Sequence, residues 1–249
     1  MSTSYFLLSK PGEITDTTDL INIDKDVVIY PPCGITYILP RNLASYYVTH
    51  GLFESRLINW CKQFIQKENG GVFLDIGAHT GTWSLSLAPL AKHVFSFEPQ
   101  KMTYYALCGS TALSNFKNIT CINKGLGSHE QQGKMPLYVV SDDGGGSTVQ
   151  TTSSNVLHQE EIEIVTLDSL HINDICFIKI DVEENELAVL QGAVETLKKN
   201  DYPPIVFECN DTNLSTNPNH DLYRFINVEL GYQITPIAGI SNMFLAHKN

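Results

Sequence analysis

Apolar positions along the chain come in short continuous runs, and stretches of helical spacing separate them. Val72-Phe73-Leu74 is such a run, bounded like a buried strand, and Trp83, Leu85, Leu87 and Leu90 behind it predict a helix. The succession returns with a strand over Lys92 to Glu98, a helix from Lys101 to about Leu113, and a strand over Ile119 to Asn123. It returns again at Cys176 to Ile180 and at Pro204 to Glu208. The helix between those two runs from about Glu186 to Leu197, with Leu187, Leu190, Val194 and Leu197 on one face. A helix near Leu222 to Leu230 and strands at Tyr232 to Pro236 and Met243 to Ala246 close the series. Strands alternating with helices predict an α/β fold, a parallel sheet with helices on both faces.

Ahead of this series, Asp26 to Tyr30 and Ile35 to Leu39 read as strand pieces split by Pro31-Pro32. Leu57, Trp60-Cys61 and Phe64-Ile65 then predict a helix from about Leu52 to Lys67, one face packed on the sheet. Gly70-Gly71 ends it and admits the first core strand. Residues 1–69 are thus expected to be an extension covering the core, and residues 70–249 the main domain. Between the third strand and Cys176 the pattern weakens. Residues 125–160 are polar and Gly-rich, interrupted by Met135 to Val140, and Glu161 to Leu167 alternates like a strand. Ser141-Asp142-Asp143-Gly144-Gly145-Gly146-Ser147 predicts a mobile loop, either a hairpin tip or a substrate lid.

A length of 249 residues allows one α/β domain with an extension and a substantial core. The net charge of −11 opposes a grip on polyanions, and the 16 Lys and Arg are scattered, so nucleic acid is demoted as a substrate. Six cysteines (33, 61, 108, 121, 176 and 209) show no C-x-x-C pair and lie mostly in apolar runs, which favours buried reduced thiols in a cytosolic-type protein. The start MSTSYFLLSKPGE lacks a basic stretch and a long apolar one, so neither a signal peptide nor a membrane span is expected, and a soluble cytoplasmic protein is.

The sharpest chemical signal is VFLDIGAHTGTWSL, residues 72 to 85. Gly77 and Gly81 permit a tight turn and a close approach of backbone to ligand. A phosphate-cradling loop needs a Lys after its last glycine, and none follows Gly81. The dinucleotide pattern G-x-G-x-x-G is missing as well. What stands is Asp75-x-Gly77-x-x-x-Gly81, and an acid at a strand end suits a ligand carrying an ammonium and a sulfonium. S-adenosylmethionine is that ligand. Alone, the loop also fits an ordinary strand-turn-helix with incidental glycines. Glu98, at the end of the next strand, adds the carboxylate that accepts hydrogen bonds from ribose hydroxyls. The expected cofactor contacts are Asp75, Gly77, Ala78, His79, Gly81, Thr82, Glu98, Pro99, Asn123, Gly125 and Asp181. Ligands of such sheets sit beyond the carboxyl ends of the strands, so Asp75, Glu98, Asp181 and Glu208 should point into one crevice.

With Phe73 to Gly81, Phe97-Glu98-Pro99 and Ile178-Lys179-Ile180-Asp181-Val182-Glu183 in view, followed by Glu186-Leu187-x-Val189-Leu190-x-Gly192-Ala193, the chain resembles the FkbM family of S-adenosylmethionine-dependent O-methyltransferases. Val165 to Leu170 and Pro204 to Glu208 are weaker points of likeness, and the resemblance spans roughly residues 70–247. It implies a Rossmann-like class I methyltransferase sheet of about seven mostly parallel strands. It also implies methyl transfer to a hydroxyl, often on a sugar or a polyketide-type product. One departure stands out: the family's Asp-Val-Glu-Gly ends here in Glu184.

The expected acceptor is a hydroxyl-bearing small molecule or glycan. Asp181 is the first candidate to take the hydroxyl proton, Glu183 the second, and His79 a third. Asp181, Glu208 and Asn210 offer hard oxygen ligands suited to Mg²⁺, though solvated rim acids or helix caps account for the same residues. His158, His171 and His220 lack ligand spacing and read as surface or packing residues. Rival readings are a nucleic-acid methyltransferase acting on a ribose 2′-hydroxyl or a cap, a non-catalytic S-adenosylmethionine-binding protein, and an NAD dehydrogenase. Oligomeric state is left open.

Overall fold

The most apolar runs become the middle of the sheet. The computed structural model describes residues 5–8, 21–22, 34–67, 70–141, 143–150, 155–211, 214, 217, 220–240 and 242–248. Strands β4 (Val72–Ile76) and β10 (Ile175–Ile180) are buried at every position and pair in parallel. Outward from β4 lie β5 (His93–Phe97) and β6 (Ile119–Ile122), and outward from β10 lies β11 (Ile205–Glu208), all parallel. Beyond β11, strand β13 (Met243–His247) runs antiparallel and is itself covered by β12 (Gln233–Pro236). The seven-stranded order is β12-β13-β11-β10-β4-β5-β6. The chain therefore changes direction across the sheet between β4 and β10, the switch point where ligands of this fold bind.

Each face of the sheet carries a core. One holds Leu74, Ile76, Ile178, Ile180 and Phe207 under α5 (Glu186–Gln191), α6 (Val194–Lys199) and α7 (Asp221–Arg224). The other holds Phe73, Phe177 and Val206 under α2 (Ser55–Lys67) and α3 (Thr82–Leu87). Phe64 of α2 stacks on Phe177 at 5.3 Å, and Phe177 on Phe73 at 5.4 Å. Each such ring stabilises the fold by about 1.5–3 kcal/mol through burial. Ahead of α2, β3 (Tyr37–Pro40) packs on α4 (Lys101–Leu113), where Ile38 N donates to Ser110 Oγ (2.9 Å). Strand β3 also pairs with β1 (Tyr5–Leu8), which pairs with β2 (Ile21–Asn22). The expected strand over Asp26 to Tyr30, Pro31-Pro32 and Cys33 lie outside the described residues. Among the described residues no helix is long and apolar enough to cross a membrane, and the five cysteines there are free thiols.

Three elements differ from the sequence pattern. The expected Glu186 to Leu197 helix is two helices, broken at Gly192-Ala193. A Cβ on Gly192 would lie 2.1 Å from Gly127 O, so the chain passes too closely for any side chain. The Asp168 carboxylate restarts the helix by accepting from Glu195 N (3.2 Å) and Thr196 N (2.7 Å). Trp60, expected on the packed face of α2, is 40% exposed and lies edge-on against Phe64. The polar stretch after β6 builds a third sheet, in addition to the seven-stranded one and the one of β1, β2 and β3, from β7 (Gly125–Leu126), β8 (Gly133–Val139) and β9 (His158–Val165), in the order β7-β9-β8. Its apolar side, Leu137, Val139, Ile162 and Ile164, forms a small core of its own.

Candidate active site

The glycine loop is clamped between two strand ends. Gly77 N and Ala78 N both donate to Phe97 O, at 3.0 and 2.9 Å, which ties the loop to the end of β5. On the other side the Lys179 ammonium donates to Gly77 O at 2.6 Å. Gly77 has φ +76, and a Cβ there would fall 1.7 Å from Asp181 O, so only glycine fits. Gly81, with φ +94, leads into α3 and faces Leu85 and Leu107, while Thr82 at the start of α3 borders the cleft.

Glu98 follows β5 and is 7% exposed. Its Oε2 accepts from His79 N (2.8 Å) and its Oε1 from Gln100 N (2.9 Å). Burial pushes its pKa up to about 7 against the pull of those two bonds. A carboxylate has about four acceptor sites, so each oxygen keeps capacity for one more donor, as a pair of ribose hydroxyls requires. Asn123 does not border the cleft. Its amide donates to Glu98 O and Pro99 O, both at 2.9 Å, and so braces the strand end. Pro99, Gly125, Leu126, Leu137, Ile162 and Ile164 continue the wall and give an apolar slot next to Glu98. The whole cleft measures about 570 Å³, within the usual range for small-molecule sites. An acceptor carboxylate beside an apolar slot is the chemistry that an adenosine's ribose hydroxyls and base require.

At the switch point the structure corrects the expected role of Asp75. Its carboxylate has no exposure and does not line the cleft. Oδ2 accepts from Ser84 Oγ (2.5 Å), and Ser84 Oγ also meets Ser96 Oγ (2.7 Å). Lys179 stands between Asp75 and the cleft, 3.7 Å from Asp75 Oδ1 and 3.3 Å from Asp181 Oδ2. Burial opposes the ammonium charge, but Asp181, Asp75 and Glu54 outweigh it and hold the Lys179 pKa above its ordinary value. Sequence reasoning assigned Lys179 no role. A lysine inside an otherwise apolar, fully buried strand was the available signal.

Asp181, Glu183 and Glu208 bring carboxylate oxygens within 4.8 Å of one another. Of the expected Asp181, Glu208 and Asn210 ligand set, the two acids lie together and border the cleft with Glu183, whereas Asn210 is exposed and does not border it. Burial first, then the charges of Asp181 and Glu183, pushes the Glu208 pKa up to about 9. Its carboxyl also accepts from the Asn242 amide. Burial raises the Glu183 pKa too, and Glu183 Oε1 accepts from Gly146 N (3.0 Å). The departure at Glu184 strains the backbone: Glu183 and Glu184 have φ +53 and +73, a region that favours glycine. The Glu184 side chain is exposed and does not border the cleft.

His79 is no free base. Its Nε2 lies 2.7 Å from Asp143 O, which can only accept, so that nitrogen carries the proton. Burial lowers its pKa and favours the neutral ring. The bond fastens the glycine-rich loop, whose Gly144, Gly145, Gly146 and Ser147 border the cleft. Sequence reasoning missed Leu43, Tyr47, Phe53 and Glu54, which line the cleft from the segment around α1 (Ala44–His50) and carry no motif.

A glycine loop after the central strand, a ribose-ready acid at the next strand end and carboxylates across the switch point define an α/β protein of the nucleotide-cofactor class. The chain belongs to the FkbM methyltransferase family, matching the Methyltransferase FkbM domain over residues 75–234. Among solved structures it is similar to methyltransferase FkbM from Methylobacillus flagellatus KT, at 20% identity and a TM-score of 0.47. That match covers 72% of this chain and 44% of the other, so the chain spans less than half of that protein's length. An rRNA methylase from Streptococcus thermophilus is 14% identical, with TM-score 0.46 and coverage of 78% and 96%. Precorrin-6y C5,15-methyltransferase from Geobacter metallireducens GS-15 is 12% identical, with TM-score 0.48 and coverage of 80% and 90%. No curated protein matches the sequence.

Proposed function

We propose that the protein is an S-adenosylmethionine-dependent O-methyltransferase whose acceptor is a hydroxyl of a sugar, a glycan or a similar polyhydroxyl small molecule. One observation carries this reading: a single cleft joins a ribose-ready carboxylate, Glu98, to a carboxylate poised at the switch point, Asp181. S-adenosylmethionine, when bound, supplies a methyl group on a sulfonium that is already a strong donor. Glu98 accepts the ribose hydroxyls, and the apolar slot beside Pro99 and Gly125 takes the base. Lys179 holds the glycine loop through Gly77 O and holds Asp181 in place through its charge. Asp181 would orient the acceptor hydroxyl and take its proton as the oxygen–methyl bond forms and the methyl–sulfur bond breaks, the sulfur keeping that electron pair in the departing thioether. Glu208, which retains a proton at neutral pH, can donate a hydrogen bond to an acceptor oxygen.

Electrostatics supports the acceptor class. Neutral hydroxyls donate to carboxylates, whereas a phosphate chain is disfavoured by a cleft whose lining includes Asp181, Glu54 and Glu183 on a chain of charge −11. Proton transfer to Asp181 requires no cation, so turnover is expected to survive exhaustive chelation. Loss of turnover that Mg²⁺ restores would make the three carboxylates a metal site instead. The decisive test is transfer of label from S-adenosylmethionine to a panel of sugars, glycans, RNA caps and small alcohols, with Asp181→Asn beside the native chain. We expect sugars or related polyols to be labelled, and the variant to lose turnover by about 10²-fold or more with cofactor affinity little changed. Labelling of RNA with none of sugars would overturn the acceptor class. A fully active Asp181→Asn would remove its assigned role.

A further inference from the structure

The family match begins at residue 75, yet one wall of the cleft is built before it, by Leu43, Tyr47, Phe53 and Glu54. Glu54 has φ +55, a conformation that a side-chain-bearing residue keeps only where its surroundings fix it. Trp83 does so, its indole N–H donating to Glu54 Oε2 at 2.8 Å from the first turn of α3. Trp83 engages one carboxylate oxygen, and no hydrogen bond among the described residues engages the other. Glu54, Lys179 and Asp181 border the same cleft, and after burial, which raises the Glu54 pKa, and the Trp83 bond, the charges of Lys179 and Asp181 are the next to act on it. Phe53 beside it stacks on Tyr46 at 4.1 Å and meets Tyr47 edge-on at 5.2 Å. The Phe53 ring is thereby held in place while 36% of its residue surface stays open.

An aromatic face next to a carboxylate matches the two-sided chemistry of a sugar ring. The C–H face of the ring packs on the aromatic surface, and its hydroxyls donate to the carboxylate. We propose that Phe53 and Glu54 select the acceptor: a pyranose-type ring lies against Phe53, and a hydroxyl other than the reacting one donates to Glu54. This rests on the O-methyltransferase reading and assigns its acceptor specificity to residues outside the family-matched region.

The test measures turnover of a set of methyl pyranosides that differ by one epimerised or one deoxygenated carbon. It uses full-length native protein, Glu54→Gln and Phe53→Ala, with calorimetric titration of S-adenosylmethionine as the check on folding. Phe53→Ala changes a half-open ring and so guards against a Glu54 variant that fails to fold. Both variants are expected to keep cofactor affinity; Glu54→Gln should raise the acceptor KM by about 10- to 100-fold, the range for weakening a hydrogen bond to a charged group, and Phe53→Ala by about 2- to 10-fold, the range for losing an aromatic contact. The fall in kcat should be smaller. Glu54→Gln should also cease to distinguish the best pyranoside from its analogue lacking the Glu54-bound hydroxyl. Pyranoside turnover with native KM and native ranking in both variants overturns the inference and leaves the proposed function standing. A native protein that labels RNA or small alcohols and no pyranoside overturns both.

Discussion

Glu98 sits where a small change of pH alters what it can do. With its pKa raised to about 7 by burial, it loses acceptor capacity as pH falls through neutrality. Affinity for S-adenosylmethionine, read by calorimetry from pH 6 to 8 (a range of about one unit either side of that value), is therefore expected to weaken toward the acid end. Glu98→Gln should bind weakly and without this slope, and Glu98→Ala should lose about 1–3 kcal/mol of binding. A native protein with flat affinity across neutrality would contradict the assignment. Glu184 offers a separate test, because its φ of +73 strains the backbone while its exposed side chain touches nothing in the cleft. Glu184→Gly should stabilise the fold by about 1 kcal/mol in denaturant titration and leave cofactor affinity unchanged. Gly77, Glu98 and Asp181 were legible because each sits in a contiguous motif at a strand end. Asp75 was legible as a strand-end acid but not as a buried one, since the lysine that covers it comes from a strand a hundred residues later in the chain. Glu54 has no motif at all; only folding brings it to Trp83.

Periodicity reported the core strands faithfully, because a strand buried on both faces is apolar throughout. It reported the helix after β10 as one element, because Leu187, Leu190, Val194 and Leu197 keep helical spacing across the break. The break depends on Asp168, which lies before β10 in sequence and serves as a distant cap for α6. Asp168→Ala is expected to cost about 1–2 kcal/mol, with Asp168→Asn recovering much of it, as measured by equilibrium unfolding. Equal losses in the two variants would indicate charge, not capping. The sheet of β7, β8 and β9 was only half visible. The alternation of β9 could be read, but its partner β8 carries Pro136 and two exposed residues at its start, and its pairing was not local. The loop between those strands shows the same limit, since its glycines predict freedom but not the bonds from His79 and Glu183 that fasten it over the cleft.

Among the described residues, burial raises the pKa of Glu54, Asp75, Glu98, Glu183, Glu186 and Glu208, so these carboxyl groups hold protons that an unfolded chain would release. Glu98 and Glu186 are raised to about 7 and Glu208 to about 9, from an ordinary value of 4.5, chiefly by burial. At these groups the unfolded state binds fewer protons above pH 4.5 than the folded one, so their contribution to stability falls as pH rises. They outnumber His79, whose pKa burial lowers and whose contribution is opposite. The loss accrues through about 7 for the first two and continues through about 9 for Glu208. The melting temperature of the cofactor-free protein is thus expected to decline steadily from mildly acidic to alkaline buffer, and a rise over that interval would refute the buried-acid account. The α/β class, the sheet and the crevice at its strand ends were all legible in the sequence, because alternation of strand and helix fixes them. The strand order carries one more consequence, for how the chain is made. During synthesis β4, β5 and β6 emerge together and can pair at once, but the other side of β4 waits for β10. β11 in turn keeps an open edge until β13, its last partner, leaves the ribosome, and an open apolar edge invites pairing with other chains. A nascent chain stalled before residue 243 would hold the cofactor loop and its acids already in place, yet be the form most prone to aggregate.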